Sequence, residues 1–87
     1  MTMTFGEALE ALKKGARIAR RGWNGKGMYL FLAKGTDLTA CIVNEDDDDP
    51  MPPIQDSIFM KTAQETTVAG WLASQTDMLA EDWYIVD

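Results

Sequence analysis

The cysteine and histidine content most constrains how this chain of 87 residues can be stabilised. Cys41 is the only cysteine and histidine is absent, so neither an intramolecular disulfide nor a Cys/His zinc site can form. A domain this short buries only about 60–65% of the surface of its unfolded chain. Oligomerisation is the remaining source of extra stability, and three Trp, three Phe and six Met can supply an apolar interface. We therefore expect one domain, residues 1–87, that self-associates.

The charge distribution argues against a long nucleic acid as partner. The net charge is −6, whereas capture of a long nucleic acid depends on many phosphate contacts. The halves differ, however: residues 1–44 carry a balance of +4 and residues 45–87 a balance of −10, and six of the eight basic residues fall within residues 13–26. This cluster can serve a small anion, because charges beyond roughly 8 Å are screened. The alternative is that the two halves attract each other, within one fold or across an interface.

The hydropathy pattern predicts a cytoplasmic protein with no membrane partner. No apolar run approaches the length of a membrane span, and no charged segment precedes an apolar stretch as in a signal peptide. One free cysteine fits a reducing compartment.

The spacing of apolar residues and turn formers predicts an α+β fold. We expect a mainly antiparallel sheet with one longer N-terminal helix, starting in a capping box at Thr4 and Glu7, and one short C-terminal helix capped by Ser74. The acidic run and the prolines after it predict an exposed loop. The predicted helices cover residues 5–14 and the segment after Ser74, the strands cover 16–20, 28–33, 39–43, 58–62, 67–69 and 83–86, and the loop covers about 44–57.

The chemistry that enzymes use most is missing. Without histidine the commonest general base is absent, and Cys41 has no neighbouring base or cation that would activate it as a nucleophile. Glu81 and Asp82 are adjacent, so their carboxylates point in different directions on any regular element. The aspartates at residues 46–49 lack the alternate spacing and the glycine of a calcium loop. Catalysis is therefore disfavoured, and we expect no metal site and no cofactor.

The segment of residues 20–27 carries the strongest chemical signal. Its glycines let backbone amides approach a ligand closely, its cations can meet phosphate, its tryptophan can stack on a base and its asparagine offers a donor and an acceptor. The alternative is a hairpin turn whose tryptophan packs on the core. The segment consists of Arg20, Arg21, Gly22, Trp23, Asn24, Gly25, Lys26 and Gly27.

A second candidate segment runs from Trp71 through Trp83 and includes the start of the predicted C-terminal helix. Four polar side chains stand there at a helix N-terminus beside an aromatic ring, where they can hydrogen-bond a ligand. Helix capping alone explains the first and the last of them but not the middle two. The four are Ser74, Gln75, Thr76 and Asp77.

Three sequence blocks resemble a known family. They are FGEALEALKKG at residues 5–15, ARRGWNGKGM at 19–28 and WLASQTDMLAEDW at 71–83, and together they are similar to the phage Thoeris anti-defence sponge family. The resemblance implies a small α+β protein that sequesters glycocyclic ADP-ribose in the cytoplasm of the infected host without cleaving it. Some members also bind the cyclic di- or trinucleotides of CBASS defence at a separate site, in a hexamer built from dimers. Residues 34–57 do not match the family pattern, and the acidic loop is expected to be a variable insertion.

The residues and the resemblance together predict a homo-oligomeric sponge whose two segments form the walls of one pocket. The walls meet either within one chain or across a subunit boundary. The alternative is a structural or protein-binding module with no small-molecule ligand, and an enzyme that acts on nucleotides with carboxylates alone is the third hypothesis. The predicted ligand-binding residues are Arg20, Arg21, Trp23, Asn24, Gly25, Lys26, Trp71, Ser74, Gln75, Thr76 and Asp77.

Overall fold

Three helices and five strands make up the part of the chain that the computed structural model describes, residues 1–42 and 52–87. The sheet is antiparallel throughout, with the strand order β4-β3-β2-β1-β5. The α+β expectation is therefore confirmed. The elements in chain order are α1 (Phe5–Lys13), β1 (Arg17–Arg20), β2 (Tyr29–Ala33), α2 (Gly35–Ile42), β3 (Ser57–Lys61), β4 (Thr67–Val68), α3 (Gln75–Leu79) and β5 (Trp83–Val86).

Helix α1 covers one face of the sheet and closes the core. Its capping box is present, because the Thr4 hydroxyl accepts from the Glu7 amide while the Glu7 carboxylate accepts from the Thr4 amide. The apolar stripe that follows buries two helical side chains against three from β1, β2 and the edge strand β5. The fully buried cluster consists of Ala8, Leu12, Ile18, Leu30 and Trp83.

The strand order explains how segments about fifty residues apart in sequence come together. β1 and β5 are antiparallel neighbours, and Arg20 at the end of β1 pairs with Trp83 at the start of β5. The loop of residues 21–28 leaves the end of β1, and α3 comes just before β5. Both segments therefore lie at the same end of the paired strands β1 and β5, within one chain.

The segment before the acidic run is a helix, and the predicted strand at residues 39–43 is wrong for the residues that the structure describes. Thr39 and Ile42 are β-branched and favour a strand, but α2 includes both. The Thr39 hydroxyl donates to the Gly35 carbonyl one turn earlier at 2.7 Å, and the Gly35 amide donates to Asp56 Oδ1 at 2.7 Å. The second contact crosses 21 residues of sequence, so no local pattern predicts it.

The predicted acidic loop falls mostly outside the described residues. Its end, residues 52–56, has no regular secondary structure, and Pro52 and Pro53 are exposed. Across residues 1–42 and 52–87 the structure contains no helix that is both long and apolar enough to cross a bilayer.

Candidate functional site

Four aromatic rings from four segments form a cluster at the end of the sheet where β1 ends and β5 begins. Trp83 is its buried centre, with no exposed surface. The Trp23 ring lies 5.4 Å from the Trp83 ring, between centroids, and 6.5 Å from the Trp71 ring; the Trp71 and Trp83 rings are 6.2 Å apart. Phe5 completes the cluster at 5.3 Å from Trp83. Trp23 and Trp71 are only partly buried. Together with α3 they form the outer rim of the cluster, where ring surface remains exposed for a flat ligand.

Asp77 connects the rim of this cluster to α3. Its Oδ2 accepts from the Ser74 amide at 3.1 Å and the Ser74 hydroxyl at 2.8 Å, which forms the capping box of α3. Its Oδ1 accepts from Arg20 Nη1 at 2.8 Å and lies 3.4 Å from the indole nitrogen of Trp23. Its backbone carbonyl accepts from the indole of Trp83 at 3.0 Å. One residue therefore caps the helix and hydrogen-bonds two of the four rings.

Asp82 contacts the same arginine as Asp77, so Arg20, Asp77 and Asp82 form one hydrogen-bonded network. Its Oδ1 accepts from Arg20 Nε at 2.9 Å and its Oδ2 from the Gly22 amide at 2.8 Å, while its backbone carbonyl accepts from the Arg21 amide at 3.1 Å. Asp82 thus contacts three consecutive residues where β1 passes into the loop. The side chains of Arg20 and Asp77 are each 14% exposed and that of Asp82 is 33% exposed, so solvent screens these pairs less than ordinary surface pairs.

The structure brings Arg20, Trp23, Trp71, Ser74 and Asp77 of the predicted site residues together. The other six are not in contact with this group among the interactions of the described residues. The Arg21 guanidinium lies 4.5 Å from the centre of the Tyr84 ring, and Tyr84 points to the opposite face of β5 from Trp83. Gly25 is partly buried, and a Cβ there would contact Met28 and Ala63. The remaining four are exposed: Asn24, Lys26, Gln75 and Thr76.

Three members of the site were assigned other roles from sequence. Phe5 fits the apolar stripe of α1 equally well as a core residue, so no sequence signal separates the two roles. In the sequence interpretation Trp83 ends the second candidate segment and begins the closing strand but is not a ligand-binding residue, and its place at the centre follows from the register with Arg20. Asp82 was set aside as half of an adjacent carboxylate pair, although it directly precedes a predicted strand. The sequence identifies Asp82 as a site residue only once the pairing of β5 with β1 is known.

Comparison with known proteins decides the family. Residues 3–86 match the Tad2-like family model, described as a Thoeris anti-defense 2-like domain. A relative from Bacillus phage SP01, "Thoeris anti-defense 2", is 47% identical over 92 residues, covering 97% of this chain and 94% of the relative. The chain belongs to the Thoeris anti-defense 2-like family. The match extends through residues 34–57, so the likeness is not limited to the three blocks that resemble the family in sequence.

In this Thoeris anti-defense 2-like domain the two network carboxylates are held in their ionised form. Burial would raise the pKa of Asp77, but hydrogen bonds from Arg20, Ser74 and Trp23 outweigh burial and lower it below its usual value. The hydrogen bond from Arg20 lowers the pKa of Asp82, with help from the Gly22 amide and against a smaller effect of burial. The same contacts, with Asp82 first, raise the pKa of Arg20 above its usual value.

These shifts predict a loss of stability in acid. The pKa values of Asp77 and Asp82 are lower in the folded than in the unfolded state, so their contribution is fully present above about pH 4 and is lost as the pH falls through the folded pKa values. The melting temperature should be nearly constant from neutral pH to about pH 5 and should fall below about pH 4. Thermal unfolding followed by circular dichroism checks this. In Asp77→Asn the fall should be shallower, and an equally steep fall there would show that other groups cause it.

Proposed function

We propose that this protein is a phage anti-defence sponge, which binds a bacterial immune signal and withholds it from its effector without cleaving it. The proposed ligands are glycocyclic ADP-ribose, the signal of Thoeris defence, and the cyclic oligonucleotides of CBASS defence at a separate site. The rim formed by Trp23, Trp71 and α3 carries the proposal, because it joins stacking surface to polar groups in a chain of this family. The name of the SP01 phage relative supports Thoeris as the target.

The two indoles suit the purine of such a ligand. Stacking of a base on an aromatic ring contributes about 1–3 kcal/mol. The planes of Trp23 and Trp71 are inclined at 61°, so a base that stacks on one ring meets the other at an angle. Their partly buried positions against Trp83 hold both rings in place before the ligand arrives, which reduces the entropy that binding costs.

The groups around the rings match the rest of the ligand. Ser74, Gln75 and Thr76 can hydrogen-bond ribose hydroxyls, and the exposed Asn24 offers a donor and an acceptor. Lys26 is an exposed cation on the same loop as Trp23 and is the first candidate for the diphosphate. Arg21 is also exposed but lies over Tyr84, so it can contribute only after its side chain turns towards the rim.

The state of Asp77 supports binding rather than catalysis. Both of its carboxylate oxygens already accept hydrogen bonds from the protein, and its lowered pKa keeps it ionised at neutral pH. A general acid or base works best with a pKa near the operating pH. Asp77 therefore suits the support of a binding wall better than proton transfer.

Self-association is part of the proposal, as a dimer that assembles further into a hexamer. Leu72 is 93% exposed and Leu79 is 73% exposed, and both lie in the segment that forms one wall of the site. Exposed large apolar side chains favour a protein partner where they form one patch, and a second copy of this chain is the partner proposed. A monomer mass by light scattering at micromolar concentration would contradict this part.

Calorimetry with a panel of signals tests the function. We expect submicromolar binding of glycocyclic ADP-ribose or a cyclic oligonucleotide, the range in which a sponge competes for a signal, and affinities at least about a hundredfold weaker for linear ADP-ribose and AMP, because a prearranged rim favours one ligand shape. The absence of binding to every panel member, with the protein folded by circular dichroism, would favour a purely structural or protein-binding module instead.

A further inference from the structure

We propose that Arg20 and Asp82 are positioning residues of the binding site, which fix the loop of residues 21–28 so that Trp23 faces the rim, and that Arg20 does not itself contact the ligand. The part of this proposal that concerns affinity rests on the proposed function. The part that concerns the loop stands on the geometry alone.

The contacts form a closed ring around the start of the loop. Asp82 binds the Arg20 side chain at 2.9 Å and the Gly22 amide at 2.8 Å. Arg20 reaches Asp77 at 2.8 Å, and the same Asp77 oxygen lies 3.4 Å from the indole nitrogen of Trp23. Since Trp23 follows Gly22 in the chain, both the backbone and the indole are tied to one pair of carboxylates. Loss of either tie removes one of the contacts that set the angle of the Trp23 ring to Trp71, beside its packing on Trp83.

The position of Gly22 shows how closely Asp82 approaches the backbone. A Cβ at residue 22 would lie 2.8 Å from Asp82 Oδ2 and 3.3 Å from Arg20 Nη2. The first separation is shorter than non-bonded contacts allow, so a side chain at this position would displace the carboxylate. The contact with Asp82 therefore favours glycine at this position, because a larger residue keeps the fold only if the Asp82 carboxylate moves away from the Gly22 amide.

The charges argue against Arg20 as a phosphate ligand. Its single positive charge lies between two carboxylates, at Nε and at Nη1, so the three groups together are negative. A phosphate that approaches Arg20 meets this net negative charge, and two of the donor nitrogens of the guanidinium are already used. A direct phosphate contact would require one carboxylate to be released.

The two roles of Arg20 predict opposite effects of one substitution. If Arg20 positions the loop, Asp82→Asn weakens binding of glycocyclic ADP-ribose, by about tenfold for the loss of prearrangement. If Arg20 binds phosphate, Asp82→Asn frees its charge and strengthens binding. Calorimetry with wild-type protein, Asp82→Asn, Arg20→Lys and the double variant decides between them, because positioning predicts that the double variant binds no more weakly than the weaker single variant. Tighter or unchanged binding by Asp82→Asn would overturn the proposal.

Glu81→Gln is the matched control. Glu81 is exposed, neighbours Asp82 in sequence and carries the same charge, so this variant changes the net charge equally without touching the network. We expect its affinity to stay within about twofold of wild type, as for a screened surface charge. A loss of affinity equal to that of Asp82→Asn would show that net charge causes the effect and would overturn the positioning role.

A ligand-free measurement separates this proposal from the proposed function. In NMR spectra of the uniformly ¹⁵N-labelled protein, the Gly22 amide and the Trp23 indole proton should shift and exchange faster in Asp82→Asn than in wild type. If wild type binds no panel member, the proposed function fails while these two signals still test the positioning role. If neither signal changes in Asp82→Asn, the positioning role fails, whatever binds.

Discussion

Replacing Trp23 with alanine is expected to weaken binding of the nucleotide signal more than any other single substitution at the rim. The change removes a stacking surface that contributes about 1–3 kcal/mol, or roughly 5- to 150-fold in Kd. It also removes the edge-to-face contacts of Trp23 with Trp83 at 5.4 Å and with Trp71 at 6.5 Å. Trp71 then loses one neighbour that holds its angle, so the loss should lie towards the upper end of the range. Calorimetry measures it.

Two further variants show whether the ring or the fold is responsible. Trp23→Phe keeps an aromatic face but loses the indole N–H that approaches Asp77, so its affinity should fall between wild type and Trp23→Ala. Phe31→Ala truncates a partly buried ring that packs on Phe59 at 5.8 Å, away from the cluster. It should cost stability and leave the affinity of the folded protein unchanged. If Phe31→Ala weakens binding as much as Trp23→Ala, the assignment of the rim is wrong.

Replacing Asp77 with alanine is expected to give the largest loss of stability among the acidic and hydroxyl residues of the site. The variant loses the cap of α3, worth about 1 kcal/mol, and leaves a largely buried arginine with one carboxylate in place of two. The lost charge-assisted hydrogen bond to Arg20 contributes about 2 kcal/mol, so the free energy of unfolding should fall by about 3 kcal/mol in total. For a chain of this size that corresponds to a fall of roughly 10–25 °C in the melting temperature.

Comparison with Ser74→Ala separates the two contributions. Ser74 takes part in the cap of α3 but has no contact with Arg20 or Trp23 among the hydrogen bonds of the described residues. Its replacement should cost only the cap, about 1 kcal/mol. Equal destabilisation by Ser74→Ala and Asp77→Ala would mean that the contact of Asp77 with Arg20 contributes nothing. Glu81→Ala, which removes an exposed acid from the same segment, should change stability by no more than about 0.5 kcal/mol.

The parts of the fold that depend on local sequence could be predicted. The two capping boxes, at Thr4 and at Ser74, mark the starts of α1 and α3, because each depends on residues three apart. α2 could not be predicted in this way. Its first residue, Gly35, is tied to Asp56, and its β-branched residues favour a strand when taken alone.

The candidate site was predictable in composition but not in arrangement. Trp23, Trp71 and Asp77 were chosen from sequence by side-chain chemistry, and the structure brings them together in one chain. Attraction between the basic and acidic halves is one of the two sequence-based interpretations, but it does not identify the partner of Arg20, because Asp82 lies 62 residues away and reaches it only through the pairing of β1 with β5. Composition shows that a cation is present. The sheet register decides which carboxylate it meets.

Recovery of the ligand after binding tests the central claim most directly. Purified protein is mixed with glycocyclic ADP-ribose until the free signal is depleted, then denatured by heat, and the released nucleotide is identified by mass spectrometry and quantified. Sequestration predicts intact glycocyclic ADP-ribose in an amount equal to that bound, and a smaller amount from Trp23→Ala protein in proportion to its weaker binding. Release of a linear or hydrolysed product would contradict the account and assign the protein to an enzyme class instead.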